Sequence, residues 1–404
     1  MGTNHGSVSN KLSKYRQEIS VELKNILAFW IVNTQDEENG GFISHLSPSA
    51  KPDDLVPKGA VLNARILWSF SAAFRTTNNP QYKILAERSY NYLKGHFIDR
   101  EKGGVYWSVD KHGKPDNDRK QIYALAFAIY GLSEYYRISN DDEALNLCKG
   151  LYRWIEKYSF DQQYGGYKEA VDRTGAPLDD MRLSPKDRND PKTMNTHLHV
   201  LEAYANLYLI WKDEALRSSI DKLLRVFLDK IVDSRTSHLQ LFFDERWKPT
   251  AEIISYGHDI EAAWLLLEAA EVLGNEPLVE EVKDLAVRMA DVTADNLQND
   301  GSLYHEKDVA TGHLDKHREW WVTAEAMVGF LNAYEITGNE DFLEASVNCW
   351  SYAKSNLIDK EGGEWFWSRN DDGSVDDNKV GFWKCPYHNA RACMEVIRRC
   401  DKLL

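Results

Sequence analysis

Hydrophobic and polar positions along this chain follow two helical rhythms. One kind of segment is amphipathic. In residues 82–97 and 342–357 the apolar positions recur at steps of three and four and leave a charged face, which predicts a helix lying between a core and water. The other kind, as in residues 63–74, 123–136 and 258–274, is apolar nearly all round and predicts helices buried on most faces. Between an amphipathic segment and the next apolar one comes a short marker, a polar turn followed by Gly-Gly and an aromatic-rich run. It reads GGFISHL from Gly40, GGVYWSVD from Gly103, GGYKEAVD from Gly165, GSLYHEKD from Gly301 and GGEWFWSRNDDG from Gly362. Near Leu239 it becomes HLQLFFDERW and the glycines are lost.

The marker positions are 63, 62, 74, 62 and 61 residues apart, and such even spacing marks a repeat architecture. The long third interval holds a polar insertion over residues 172–192, rich in Asp, Arg and Pro. Six amphipathic and six apolar helices predict an all-α fold, an (α/α)6 barrel of helix-hairpin repeats with short β-hairpin edges at one end. The competing arrangement is an open solenoid of helix pairs, which leaves the apolar helices without a polar cap. Residues 1–12 are expected to form a flexible N-terminal segment and residues 13–404 one catalytic domain.

Composition narrows the partners. The 404 residues carry a formal net charge of −14 and no long Lys/Arg run, so a nucleic-acid partner is not expected. No apolar stretch reaches the ~18 residues of a membrane span, and the first residues lack the apolar core of an export signal. Five cysteines without paired spacing fit free thiols in a reducing compartment. The expectation is a cytoplasmic protein, monomer or weak dimer, with no membrane partner.

The reactive groups collect in the first turns of the apolar helices. They are Asn63 and Arg65; Tyr123; Asn195, His197 and His199; His258, Asp259, Glu261 and Trp264; Trp320, Trp321 and Glu325; and Trp383, Tyr387, His388 and Arg391. Equivalent helices of a closed ring start at the same end, so these residues converge on one mouth. Asn195, His199 and Glu202 share one helix face, whereas His197, two residues from His199, points elsewhere and is left out of the site. Trp68 and Trp154 read as core. Imidazole titrates near neutral pH and serves as base or acid. Arg65, in an otherwise apolar helix, calls for a carboxylate partner or an anionic intermediate, and Glu261 is the natural partner for His258 or for a substrate hydroxyl. A divalent metal on His258, Glu261, His199 and His388 is the sharp alternative. No H-E-x-x-H, cysteine cluster, phosphate loop, dinucleotide fingerprint or G-x-S-x-G accompanies it, so neither a metal nor another cofactor is expected.

Five of these motifs carry a resemblance: LNARILW around Arg65, MNTHLHVLEAY around His199, SYGHDIEAAW around His258, WWVTAEA around Trp321 and WKCPYHNAR around His388. With them the chain resembles the N-acylglucosamine 2-epimerase superfamily, and within it the cellobiose 2-epimerases, over all but its first dozen residues. The resemblance implies an (α/α)6 barrel that, without a cofactor, interconverts gluco and manno forms at C2 of a small reducing sugar. It implies His258 and His388 as the acid/base pair and His199 as an aid to ring opening. Arg65, Tyr123 and Asn195 are then to hold the reacting oxygens, and Glu261 and Glu325 to fix histidines and substrate hydroxyls. Trp321 and Trp383 are to contact sugar rings. From their own places in the chain, Trp264 is expected as a further substrate contact, and Asp187 and Ser184 of the insertion are expected to close over the substrate. The rival expectations are a mannose 2-epimerase, an aldose–ketose isomerase, a glycoside hydrolase using Glu261 and Glu325 as its carboxylate pair, and a sugar-binding protein without turnover.

Overall fold

The computed structural model describes residues 4–46, 53 and 55–404. Its helices alternate between an outer and an inner set. The inner ones are α2 (Ala60–Thr77), α4 (Ile122–Ser139), α6 (Met194–Ile210), α8 (Tyr256–Leu273), α10 (Trp320–Thr337) and α12 (Tyr387–Leu403). The outer ones are α1 (Asn4–Asn33), α3 (Pro80–Tyr92), α5 (Asp142–Tyr158), α7 (Glu214–Val226), α9 (Glu276–Ala294) and α11 (Glu340–Tyr352). Consecutive inner helices pack side by side from α2 through to α12, and α12 packs back on α2. The ring is closed, as the repeat pattern predicts, and the fold is an (α/α)6 barrel.

Tight turns at the far end set the helix directions. Asn78, Asn140, Gly274 and Gly338 end inner helices in the left-handed conformation, which stops a helix within one residue. The very next residue opens the outer helix: Asn79, Asp141 and Asn339 each accept a bond from a backbone N–H of the first turn, satisfying a donor that the helix itself leaves orphaned. Four such two-residue connections turn the outer helix back antiparallel to its inner neighbour, and residues 211–213 make the corresponding link between α6 and α7. All six inner helices therefore start at the same end.

At that end the repeats are stitched together. The strand entering each inner helix pairs antiparallel with the strand after the next marker: 58–59 with 108–109, 120–121 with 170–171, 192–193 with 242–243, 253–255 with 306–308, and 318–319 with 368–369. A bridge between Leu46 and Val380 closes the circle. Three of the entering strands carry a buried lysine two residues before the helix: Lys58, Lys120 and Lys192 bond Asp36, Asp99 and Asp161 of the preceding turn at 2.7, 2.9 and 2.7 Å. A charge buried this deeply persists only when paired, so each pair ties an inner helix to its turn.

The N-terminal segment departs from expectation. α1 runs from Asn4, and Val8, Leu12, Tyr15 and Ile19 join the core at helical spacing, so the twelve-residue flexible leader is corrected to a helix over its described part. The insertion over residues 172–192 lies at the mouth, where Leu183, Ser184 and Asp187 reach the central cavity.

Candidate active site

The first turns of the inner helices enclose a cavity of about 210 Å³ at the mouth, and all three candidate histidines line it. Arg65 enters from α2. Its guanidinium donates to the Tyr123 hydroxyl at 2.8 Å and lies 4.2 Å from the ring centre of Phe127 and 4.7 Å from that of Tyr387. Its Nε has no partner, and among the described residues no carboxylate bonds it. A buried guanidinium held by aromatic faces is positioned but not neutralised.

Each histidine is held through Nδ1. His199 donates to Glu202 at 2.9 Å, His388 donates to Glu325 at 2.7 Å, and His258 shares a 2.8 Å bond with the Ser255 hydroxyl. Holding one ring nitrogen fixes the rotamer and leaves Nε2 to exchange a proton. Burial disfavours the charged imidazolium. It pushes His258 down to about 3, with His199 and His305 adding to the effect. It lowers His388 still more clearly, helped by Arg65 and Arg391, and lowers His199 against the pull of Glu202. Burial thus favours the neutral form of all three rings.

Beneath the cavity one guanidinium organises three carboxyls. Arg391, 1% exposed, donates to Glu202, to Glu261 at 2.7 Å and to Glu325 at 2.7 Å. Burial raises the Glu202 carboxyl, but Arg391 and the bond from His199 outweigh it and hold it at about 2. Glu261 is pushed up to about 8, first by burial and then by the charge of Glu325, so it keeps its proton near neutrality. Glu261, Glu325 and His388 offer ligand atoms within 4.8 Å of one another. Both carboxyl groups of that set already share the Arg391 guanidinium, which supplies the positive charge a metal ion would bring.

The walls are aromatic. Trp321, Trp367 and Trp383 line the cavity, Trp367 and Trp383 half-buried. The Trp321 ring lies 4.8 Å from His258 and 5.8 Å from His388. The indole N–H groups of Trp321 and Trp367 both donate to Glu319. Half-buried indoles with anchored N–H groups are platforms for the apolar face of a sugar ring.

Of the residues singled out in the sequence, Arg65, Tyr123, Asn195, His199, His258, Glu261, Trp321, Trp383, His388 and Asp187 line this one cavity. Trp264 and Glu325 do not. Trp264 is 2% exposed, donates to Glu325 at 3.1 Å and backs the Arg391 guanidinium at 4.8 Å, so it supports the wall from behind. The expected pairing of Glu261 with His258 is corrected: Glu261 bonds Arg391, and His258 bonds Ser255. His197 faces away, accepting from the Tyr167 N–H at 2.8 Å. Sequence reasoning left Glu319, Trp367 and the hub role of Arg391 unassigned. A second arginine in an inner first turn, like Arg65, was the available signal for Arg391.

The family profile of N-acylglucosamine 2-epimerase (GlcNAc 2-epimerase) matches residues 40–392. The chain belongs to this epimerase family. The epimerase is 48% identical over 385 residues to the cellobiose 2-epimerase of Bacteroides fragilis, covering 95% of this chain and 98% of that one. It is 41% identical to the cellobiose 2-epimerase of Dictyoglomus turgidum over 96% of this chain and 99% of its relative. The solved cellobiose 2-epimerase of Bacillus thermoamylovorans B4167 superposes with a TM-score of 0.92 at 41% identity, over 96% of this chain and 100% of that one. The epimerase is thus a sugar 2-epimerase, an isomerase acting on a small carbohydrate.

Proposed function

We propose that the epimerase inverts C2 of the reducing-end residue of cellobiose and related β-1,4 disaccharides. The observation that carries the reading is Arg65: a fixed, buried cation that no carboxylate bonds among the described residues, in one cavity with three histidines. Such a site is built for a transient anion. The similarity to three cellobiose 2-epimerases over nearly the whole chain supports the choice of disaccharide.

His199 moves a proton between O1 and O5 to open the pyranose. In the open aldose the carbonyl acidifies the C2 hydrogen. His258 or His388 takes that proton as the C2–H electron pair passes into the C1–C2 bond, giving a cis-enediolate. Arg65, with the Tyr123 hydroxyl bonded to it, stabilises the oxygen that gains charge, and Asn195 holds a neighbouring hydroxyl. The other histidine, which has taken up a solvent proton at Nε2, delivers it to the opposite face of C2; the first histidine is left protonated and returns its proton to solvent, and the ring recloses with C2 inverted. Glu261 and Glu325 hold histidine and substrate hydroxyls in register, Trp321 and Trp383 stack on the sugar rings, and Asp187 closes over the second sugar. No metal or cofactor enters the scheme. Five buried free thiols support a reducing, cytoplasmic setting, and the enzyme works as a monomer or weak dimer.

The test is turnover of cellobiose in deuterated water, with glucose and mannose compared as substrates. The expected product carries deuterium at C2 of an epimerised reducing end. Product without label at C2 rules out the proton-transfer scheme, a ketose product points to isomerisation, and free glucose points to hydrolysis.

A further inference from the structure

Five of the six rim turns close with the same backbone bond, from an aspartate N–H to the carbonyl five residues on. These are Asp36 to Gly41, Asp99 to Gly104, Asp161 to Gly166, Asp233 to His238 and Asp359 to Glu364, at 2.8 to 3.2 Å. This bond sets the register of the repeats, and it shows that the glycines at 362 and 363 sit one residue out of step with the earlier Gly-Gly pairs. Gly41, Gly104 and Gly166 are left-handed, with φ of +66°, +73° and +77°. They also leave little room: a Cβ at Gly166 would lie 2.7 Å from Nε2 of His197. The turn backs directly onto the start of the inner helix.

The two remaining positions carry side chains, and they precede α8 and α12, the helices of His258 and His388. Glu364 keeps the left-handed conformation, at φ +62°, which a residue with a Cβ adopts only under constraint. Its Oε1 accepts a 2.6 Å bond from Nδ2 of Asn389, the residue after His388, and a 2.7 Å bond from Nζ of Lys384. Its Oε2 accepts from the Trp30 indole at 3.1 Å. The side chains of Glu364 and Lys384 are both wholly buried. In the α8 turn, Nδ1 of His238 donates a 2.6 Å bond to Asp259, the residue after His258, and the Leu239 N–H donates to the same carboxylate at 2.8 Å.

We infer that Glu364 and His238 are positioning residues, which grip the first turns of α12 and α8 from the rim and so set the placement of His388 and His258. The inference rests on the reading that these two imidazoles exchange the C2 proton. Strain at Glu364 is accepted because a glycine there leaves Asn389 and Lys384 without their common acceptor.

The test replaces Glu364→Gly, which restores the residue of the first three repeats and relieves the backbone. Alongside it stand the double variant Glu364→Gly/Lys384→Met, which removes the stranded ammonium, and His238→Gly. Each is assayed on cellobiose for kcat, KM and C2 deuterium exchange, with circular dichroism as the check of folding. Folded variants are expected to lose kcat and exchange roughly tenfold to a hundredfold, the effect of a displaced catalytic group, while KM stays within about twofold. Glu364→Gln, which keeps an acceptor for Asn389, is expected to recover most of the loss. A folded Glu364→Gly or double variant with wild-type kcat overturns the inference. If neither folds, His238→Gly decides, and unchanged kcat there overturns it. The control is His388→Asn. If that variant stays active, the assignment of the base has failed; if it is inactive while Glu364→Gly is not, only the positioning role has failed.

Discussion

Nδ1 of His388 donates to Oε1 of Glu325 at 2.7 Å, and that same carboxylate oxygen accepts from Arg391 at 2.7 Å. The His388 ring is therefore oriented by a group that the cavity does not touch. Asn is close to histidine in shape but cannot exchange a proton, so His388→Asn and His258→Asn are expected to lose about 10²- to 10⁴-fold in kcat. Their far-ultraviolet spectra should match the parent. Near-normal turnover by either folded variant removes that histidine from the proton-transfer pair.

Among the described residues, Arg65 differs from the other buried cations in bonding no carboxylate. Arg65→Met is expected to lower kcat roughly a hundredfold to a thousandfold, the cost of losing one anion-stabilising donor. Removing a buried, unneutralised charge is not expected to destabilise the barrel. Tm should hold or rise as activity falls. A large drop in Tm shows Arg65 to be structural.

Trp264 donates to Glu325 and does not line the cavity. Trp264→Phe keeps an aromatic face under Arg391 and loses one hydrogen bond, about 1 kcal/mol or about fivefold in rate. The loss is expected in kcat with KM for cellobiose unchanged. A selective rise in KM places the indole against the sugar after all.

Stability should depend on pH from both sides. Unfolded imidazoles bind protons below about 6.5, while the buried rings resist, His258 down to about 3. Their contribution is full above pH 6.5 and is lost as pH falls toward 3. Glu261 and Glu169, both raised to about 8 from 4.5 chiefly by burial, work in the opposite sense: their contribution is full below pH 4.5 and is lost as pH rises through 8. Calorimetry between pH 4 and 9 is expected to show Tm highest near pH 6.5. Glu169→Gln should flatten the alkaline side, and an unchanged slope there contradicts the assignment.

Dialysis against a chelator is expected to leave cellobiose turnover intact, because Arg391 already provides the cation between Glu261 and Glu325. Lost activity restored by a divalent ion would reinstate the metal reading.

The ring and its mouth were legible in the sequence because they rest on local signals: helical periodicity, a marker every sixty-odd residues, and polar residues placed where apolar helices begin. That is enough to bring His199, His258 and His388 together across three repeats. What escaped depends on which side chain meets which across the barrel. Nothing local says that Glu261 bonds Arg391 and not His258, or that Trp264 stands behind the wall while Trp367 stands in it. The sixth marker misled for a related reason: its spelling aligns Gly362 with Gly40, whereas the turn hydrogen bond aligns Gly363 with Gly40.

The seam of the ring joins the first helix to the last. α1 packs on α12, Glu22 holds the Trp365 indole at 2.8 Å, and Trp30 bonds the same Glu364 that grips the residue after His388. The two parts of this joint lie 334 and 343 residues apart along the chain, so translation delivers one long before the other. A growing chain carries His258 long before it can carry His388, and Trp30 waits through five repeats for its acceptor. A chain stopped before Glu364 therefore leaves the seam open, and is expected to show no epimerase activity.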